Sequence, residues 1–224
     1  MYKYELHAHT SECDIYASLT GGELVKAYAD KGYDGIVITN HYFSYFFNWY
    51  KNELVDGNHQ QIMSRWLKGY YAAWNEGEKI GMTVLPGAEL RIDGTINDYL
   101  IFGLDEQDFF SLPLLNRMKS IDEVLDILPD YACLVHAHPF RNDMTVCDPS
   151  RFFGIETYNA GTDPFRNQMA KIYAQHYQKA VTSGSDCHGI HAVGKGGIRT
   201  DVPIRSCADL VSTLRSGGYT LIEP

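Results

Sequence analysis

Three short motifs place metal-type side chains at strand spacing: His7-Ala8-His9, His136-Ala137-His138 and Asp186-Cys187-His188. Residues two apart in an extended segment point the same way, so each motif offers two ligands on one face. A helix would need a spacing of three or four. His41 and Glu89 likewise follow short apolar runs. Mixed imidazole and carboxylate ligands suit zinc, manganese or iron, whereas calcium and magnesium prefer all-oxygen shells. One His-x-His pair arises readily by chance in a chain with nine histidines. The conjunction of two such pairs, an Asp-x-His, a strand-end His and a strand-end Glu does not. The whole set exceeds what one tetrahedral zinc needs and fits two or three divalent ions, with Glu89 or Asp186 bridging. Two metals about 3.5–4 Å apart form the usual clamp for in-line phosphoryl displacement.

The elements that must position these residues alternate in type. Short apolar strands are expected at 2–6, 35–39, 82–85, 98–102, 132–135, 154–158, 180–182 and 220–222. Between them lie helix signals. Capping-box patterns begin at Thr20 and Ser120, Ser206 caps a last helix that buries Leu210 and Leu214, and Pro164 follows Asp163 at a first helical turn. A long helix is expected from Asn58 to Glu78. The helix after Pro164 is expected to bury Phe165, Met169, Ile172, Tyr173 and His176. About seven strand–helix units read as an α/β chain that closes as a small barrel, with an open doubly wound sheet as the alternative. In a parallel barrel the carboxyl ends of the strands converge on one face, which gathers the ligands.

Composition fits that reading. The chain has 224 residues, 45% apolar and 13% aromatic, enough to bury a full core as a single domain over 1–224. No apolar run reaches membrane length, and the N-terminus lacks a basic-then-apolar export signal. Five cysteines without a Cys-x-x-Cys pair fit a reducing cytoplasm. The net charge of −9 disfavours a long nucleic-acid footprint, though not an anionic substrate whose charge is met by bound cations.

At this point the sequence resembles the PHP domain, the family named for polymerase and histidinol phosphatase. The resemblance runs through LHAHTSECD, ITNH at 38–41, PGAEL at 86–90, HAHPFR at 136–141, GIETYNA at 154–160 and GSDCHGIHAVGKGG at 184–197. It implies a distorted seven-stranded (β/α) barrel that binds two or three transition-metal ions and hydrolyses phosphate esters. By motif it implies His7, His9, Asp14, His41, Glu89, His138, Asp186 and His188 as metal ligands. The chain departs from the family where a histidine three before a glycine is usual: Leu100 precedes Gly103 at that spacing. Asp98 or His136 is the expected substitute. The family's Ser-Asp-Gly turn reads Cys13-Asp14-Ile15 here.

Neighbouring residues carry further expectations. Arg141 is a candidate phosphate clamp, because guanidinium matches phosphate oxygens bidentately, or else a surface ion pair. Lys195, among Gly194, Gly196 and Gly197, belongs to a loop that either approaches phosphate or simply turns into a strand. His191 is a candidate general acid or a solvated loop residue. Glu156 and Asn159 end a strand on the same face and are expected to position substrate or ligands. Cys187 reads as a buried thiol. The aromatic run from Tyr42 to Tyr50 either lines a pocket or folds onto the core. The expected activity is hydrolysis of a small phosphorylated substrate by metal-activated water, with a short oligonucleotide end also open. An amidohydrolase acting on C–N bonds and a non-catalytic metal-binding domain are the alternatives.

Overall fold

The computed structural model describes residues 1–50 and 58–223. In chain order it contains β1 (Tyr2–Ala8), α1 (Gly21–Asp30), β2 (Gly35–Ile38), β3 (His41–Tyr42), α2 (Ser44–Trp49), α3 (His59–Trp66), α4 (Lys68–Ile80), β4 (Thr83–Pro86), β5 (Ala88–Arg91) and β6 (Asp98–Phe102). Then follow α5 (Glu106–Ser111), a 3-10 turn at Leu115–Arg117, α6 (Ile121–Ile127), β7 (Cys133–His136), β8 (Gly154–Asn159), α7 (Pro164–His176), β9 (Ala180–Gly184), β10 (Ile198–Thr200), α8 (Cys207–Ser216) and β11 (Tyr219–Leu221).

The strands form two mixed sheets, in the orders β11-β10-β1-β2-β4 and β3-β5-β6-β7-β8-β9. The expected distorted (β/α)7 barrel is met in part: the chain is α/β, but its sheets are mixed and do not close into one barrel. The β1–β2–β4 and β7–β8–β9 ladders are parallel, but β6 runs antiparallel to both β5 and β7, and β10 runs antiparallel to β1. Two extended stretches pass from one sheet to the other, each through a break. Between β2 and β3, Thr39 Oγ1 accepts from the Ala8 amide at 3.0 Å and Asn40 Oδ1 from the Thr10 amide at 2.8 Å. Side chains thus satisfy backbone groups that a continuous ladder would have paired. Between β4 and β5 the chain needs Gly87, where a Cβ would sit 2.7 Å from Val37 Cγ1. On the other side, a single bridge between Ala8 and Cys187 joins β1 to the segment after β9.

Leu6, Val37 and Leu85 of one sheet meet Leu100, Phe102 and Val135 of the other in one apolar cluster, which α8 closes with Leu210 and Leu214. Leu100 is therefore core. It stands on the same side of β6 as Asp98, one step deeper, because strand side chains alternate. Helices α1 and α4 cover the outer face of β2 and β4 through Leu24, Val25, Tyr28 and Ala73. Thr20 and Glu23 form the expected capping box of α1, and Ser120 and Ser206 cap α6 and α8.

Two helix expectations change. The long helix from Asn58 is two helices with an irregular residue at Leu67, and it runs on to a left-handed Gly81. The face of α7 is also different. Asn167, Ala170, Tyr173 and Ala174 are buried, while Phe165, Met169 and Ile172 are exposed and His176 faces solvent. The small Ala170 and Ala174 let α7 lie close on β8, and Asn167 donates from Nδ2 to the Asn159 carbonyl at 3.0 Å. Close approach and a polar anchor outweigh the larger apolar stripe. No helix among the described residues is long and apolar enough to cross a membrane.

Candidate metal centre

At the carboxyl end of β1, His7 and His9 enter a cluster built from several elements. His41 opens β3 and pairs in register with Glu89 of β5. Asp98 opens β6, His138 follows β7, and Asp186 and His188 follow β9. His138 and Asp186 both adopt left-handed backbone, at φ 27° and 47°. Each therefore leaves strand alternation just where it joins the cluster, an uncommon conformation for residues other than glycine.

Among the described residues three sets of donor atoms converge, each within 4.8 Å: His9, Asp14, His41 and His188; His7, His9, Glu89 and Asp186; and Glu89, Asp98 and His138. In the first, Asp14 Oδ2 lies 2.8 Å from His41 Nδ1 and 3.0 Å from His188 Nε2. In the second, His9 Nε2 lies 3.3 Å from Asp186 Oδ1 and 3.4 Å from Glu89 Oε2. His7 Nε2, His9 Nε2, Glu89 Oε2 and Asp186 Oδ1 are all buried without a hydrogen-bond partner among the described residues, with His41 Nε2 3.0 Å from Glu89 Oε2. Orphaned buried polar atoms are costly, and four aimed at one another form the donor set a divalent cation requires. These residues fit a metal.

Electrostatics supports the fit. Burial would raise the Glu89 and Asp186 carboxyls, but surrounding histidines hold both well below the usual range. Burial, with His188 and His41 nearby, pushes His9 down to about 3, so its ring is neutral with a lone pair to give. Burial also opposes charge on His7, yet Glu156, Asp186 and Glu89 outweigh it and hold that ring well above its ordinary value. The carboxylates that draw a proton to His7 draw a cation to the same place. His188 is raised to about 9: burial opposes its charge, but its bond to Asp14 and the nearby Asp186 together outweigh it.

Glu156 and Asn159 stand behind this cluster. Glu156 Oε1 lies 2.8 Å from His7 Nδ1, and its Oε2 accepts from the His138 amide and from Asn159 Nδ2, both at 3.0 Å. Asn159 Nδ2 also reaches Asp186 Oδ2 at 3.3 Å. Beside the cluster opens a cavity of about 570 Å³, walled by Tyr16, Phe43, Tyr45 and Phe46 and edged by Arg91 and Arg141. The aromatic run thus divides: Tyr42 and Phe47 pack in the core, and Phe43, Tyr45 and Phe46 face the cavity. Ser44 pins the segment through its hydroxyl and amide on Asp93, at 2.5 and 2.9 Å.

Three expected residues lie outside the cluster. His136 is buried against Tyr99 and Phe152, with Nδ1 3.8 Å from Cys147 Sγ. It ends β7 in regular strand conformation, and the turn at His138 breaks the shared face that the His-x-His spacing implies. His136 is therefore not the substitute for the missing histidine, whereas Asp98 lies within reach of Glu89 and His138. Lys195 is exposed, and its loop turns where Gly196 packs on the Gly184 backbone. That loop is a strand entry and has no place in the cluster. His191 is exposed on the loop after His188. Cys187 is fully buried, its backbone bonded to His7 and His9.

Two further residues, Arg91 and Glu5, stand beside the site without belonging to a ligand motif. Arg91 sits two places after Glu89 on β5, and that spacing was the available signal. Glu5 sits two places before His7. Its buried carboxylate accepts from the His7 amide at 2.9 Å, from the Ser185 amide at 2.9 Å and from Tyr28 at 2.8 Å. It ties β1 to the turn that carries Asp186, and burial raises its pKa despite those donors.

The arrangement of mixed sheets is similar to that of solved structures, one of them described as PHP-like. The family described as PHP-associated matches residues 164–219. A two-domain protein from Bacteroides vulgatus, described as containing a predicted PHP-like metal-dependent phosphoesterase, superposes with a TM-score of 0.68 at 15% identity over 99% of this chain. The present chain spans 64% of that protein's length. PsfC from Pseudomonas syringae superposes with a TM-score of 0.62 at 19% identity, covering 94% of this chain and 88% of that one. An amidohydrolase from Chromobacterium violaceum, solved with bound sulfate and no metal, gives 0.54 at 15% identity over 94% and 96%. At these identities the likeness is one of fold. No curated protein sequence matches the chain.

Proposed function

We propose that this chain is a metal-dependent phosphoesterase acting on a small phosphorylated substrate. The observation that carries the reading is the set of four buried donor atoms on His7, His9, Glu89 and Asp186, without a hydrogen bond among the described residues and facing one another beside an open cavity edged by Arg141. Divalent zinc, manganese or iron held by these residues, with Asp14, His41 and His188 completing the set, would supply Lewis acidity and lower the pKa of water.

The chain's own residues do the rest. Glu156 holds a proton on His7 Nδ1, which leaves Nε2 facing the cluster. Asp14 orients His41 and His188 together. Arg141 reaches the cluster edge, with Nη1 3.6 Å from Asp186 Oδ2, and so can take phosphoryl oxygens as charge develops on them. Burial of His7, His9 and Glu89 excludes bulk water and strengthens each of these interactions. The aromatic walls receive the leaving group.

The test is turnover of two substrates by metal-loaded protein. Phosphate release from an aryl phosphate, lost on chelation, supports the phosphoesterase. Ring opening of a cyclic amide without phosphate release would establish an amidohydrolase instead. Metal uptake with neither activity would make the centre a binding site.

A further inference from the structure

The third donor set differs from the other two. Asp98 is fully buried, yet its oxygens are already engaged. Arg91 donates from Nε to Oδ1 and from Nη2 to Oδ2, both at 2.6 Å. Arg141 donates from Nη2 to the same Oδ2 at 2.8 Å. A carboxylate oxygen has two in-plane lone pairs, and Oδ2 gives both to arginine. A guanidinium at this range also repels a dication. His138 Nε2 lies 2.8 Å from Glu89 Oε1, a closeness that Asp14 and His41 of the first set share, so the two arginines are what set this corner apart. By contrast, no arginine bonds Glu89 Oε2 or Asp186 Oδ1 of the second set, which face His7 and His9 without a hydrogen bond among the described residues.

The two arginines are held in place. Strand alternation puts Arg91 on the Glu89 side of β5, and the Phe43 ring lies 4.9 Å from its guanidinium. Arg141 is anchored by Asp98 and leans toward Asp186. Two permanent positive charges meet the one Asp98 carboxylate they both bond, and both side chains edge the cavity.

We propose that Arg91 and Arg141, gathered on Asp98, occupy the third corner in place of a cation. The centre then takes up two cations, and the pair forms the anion-binding edge that receives the phosphoryl group. This rests on the reading of the cluster as the metal centre of a phosphoesterase, and it adds Arg91 as a substrate-binding residue.

Elemental analysis after saturation with zinc or manganese and desalting tests the cation count. Two equivalents are expected for the unaltered chain, and two again for Asp98→Asn, because Asp98 serves the arginines. Three equivalents in the unaltered chain, or loss of one in Asp98→Asn, overturns the proposal. Calorimetric titration of the loaded protein with inorganic phosphate tests the anion edge. Arg91→Met and Arg141→Met are each expected to weaken phosphate binding by about tenfold or more with cation content unchanged. Unchanged phosphate affinity in both variants overturns the assignment. Two equivalents with no ester turnover counts against the phosphoesterase reading alone and supports the cation count. No cation uptake at all removes both.

Discussion

The chain carries the His-x-His motif twice, and the two copies do different work. His7 and His9 both enter the cluster, because β1 stays extended to Ala8 and its next residue is held by the Cys187 carbonyl. His136 and His138 part company. His136 ends β7 and packs between Tyr99 and Phe152, while His138 turns through left-handed backbone to meet Glu89. The same two-residue spacing therefore brings both histidines into the cluster in one place and one of them in the other. Spacing specifies a shared face only as long as the backbone remains extended. The environments differ accordingly: carboxylates hold His7 well above its ordinary pKa, whereas burial pushes His136 down to about 3.

Substitutions can break this comparison. The largest effect is expected at the first motif. His9→Ala removes a residue shared by two donor sets and is expected to abolish phosphate release and lower cation uptake, read by elemental analysis alongside turnover. Glu156→Gln keeps the shape but weakens the hold on His7. Partners of this kind typically cost about 10–100-fold in metal affinity, which competition with a chelating dye would measure. His136→Phe is expected to change stability by less than about 1.5 kcal/mol and to leave cation uptake unchanged, because it fills the same apolar site without an unpartnered ring nitrogen. Loss of metal in His136→Phe would make the two motifs equivalent after all.

The smallest effect is a pH slope. His136 has a folded pKa of about 3 against an ordinary 6.5, so below that ordinary value the unfolded chain binds a proton that the folded chain does not. Stability therefore falls as pH drops from about 6.5 toward 3. In metal-free protein, melting temperatures between pH 4 and 7 are expected to fall less steeply for His136→Phe than for the unaltered chain. Parallel slopes would show that His136 is not buried neutral.

Much of the site was legible because it depends on local pattern. His7, His9, His41, Glu89, Asp186 and His188 each follow an apolar run, and strand ends bring them together. What escaped depends on long-range geometry. The passage of β2 into β3 and of β4 into β5 turns one expected barrel into two mixed sheets, and it rests on Thr39, Asn40 and Gly87 meeting their neighbours. The face of α7 was misjudged because hydrophobicity points to Phe165 and Ile172, while the close fit on β8 selects Ala170 and Ala174. Arg91 escaped because its value lies in Asp98, a partner seven residues away across the β5–β6 turn.

The most direct test of the central claim is a cation titration of chelator-stripped protein, with bound metal and phosphate release from an aryl phosphate followed together. Stripped protein is expected to show no turnover, and activity is expected to return in step with cation uptake by the histidine–carboxylate cluster. Turnover that persists in stripped His9→Ala protein, or full cation uptake without release of phosphate, would contradict it.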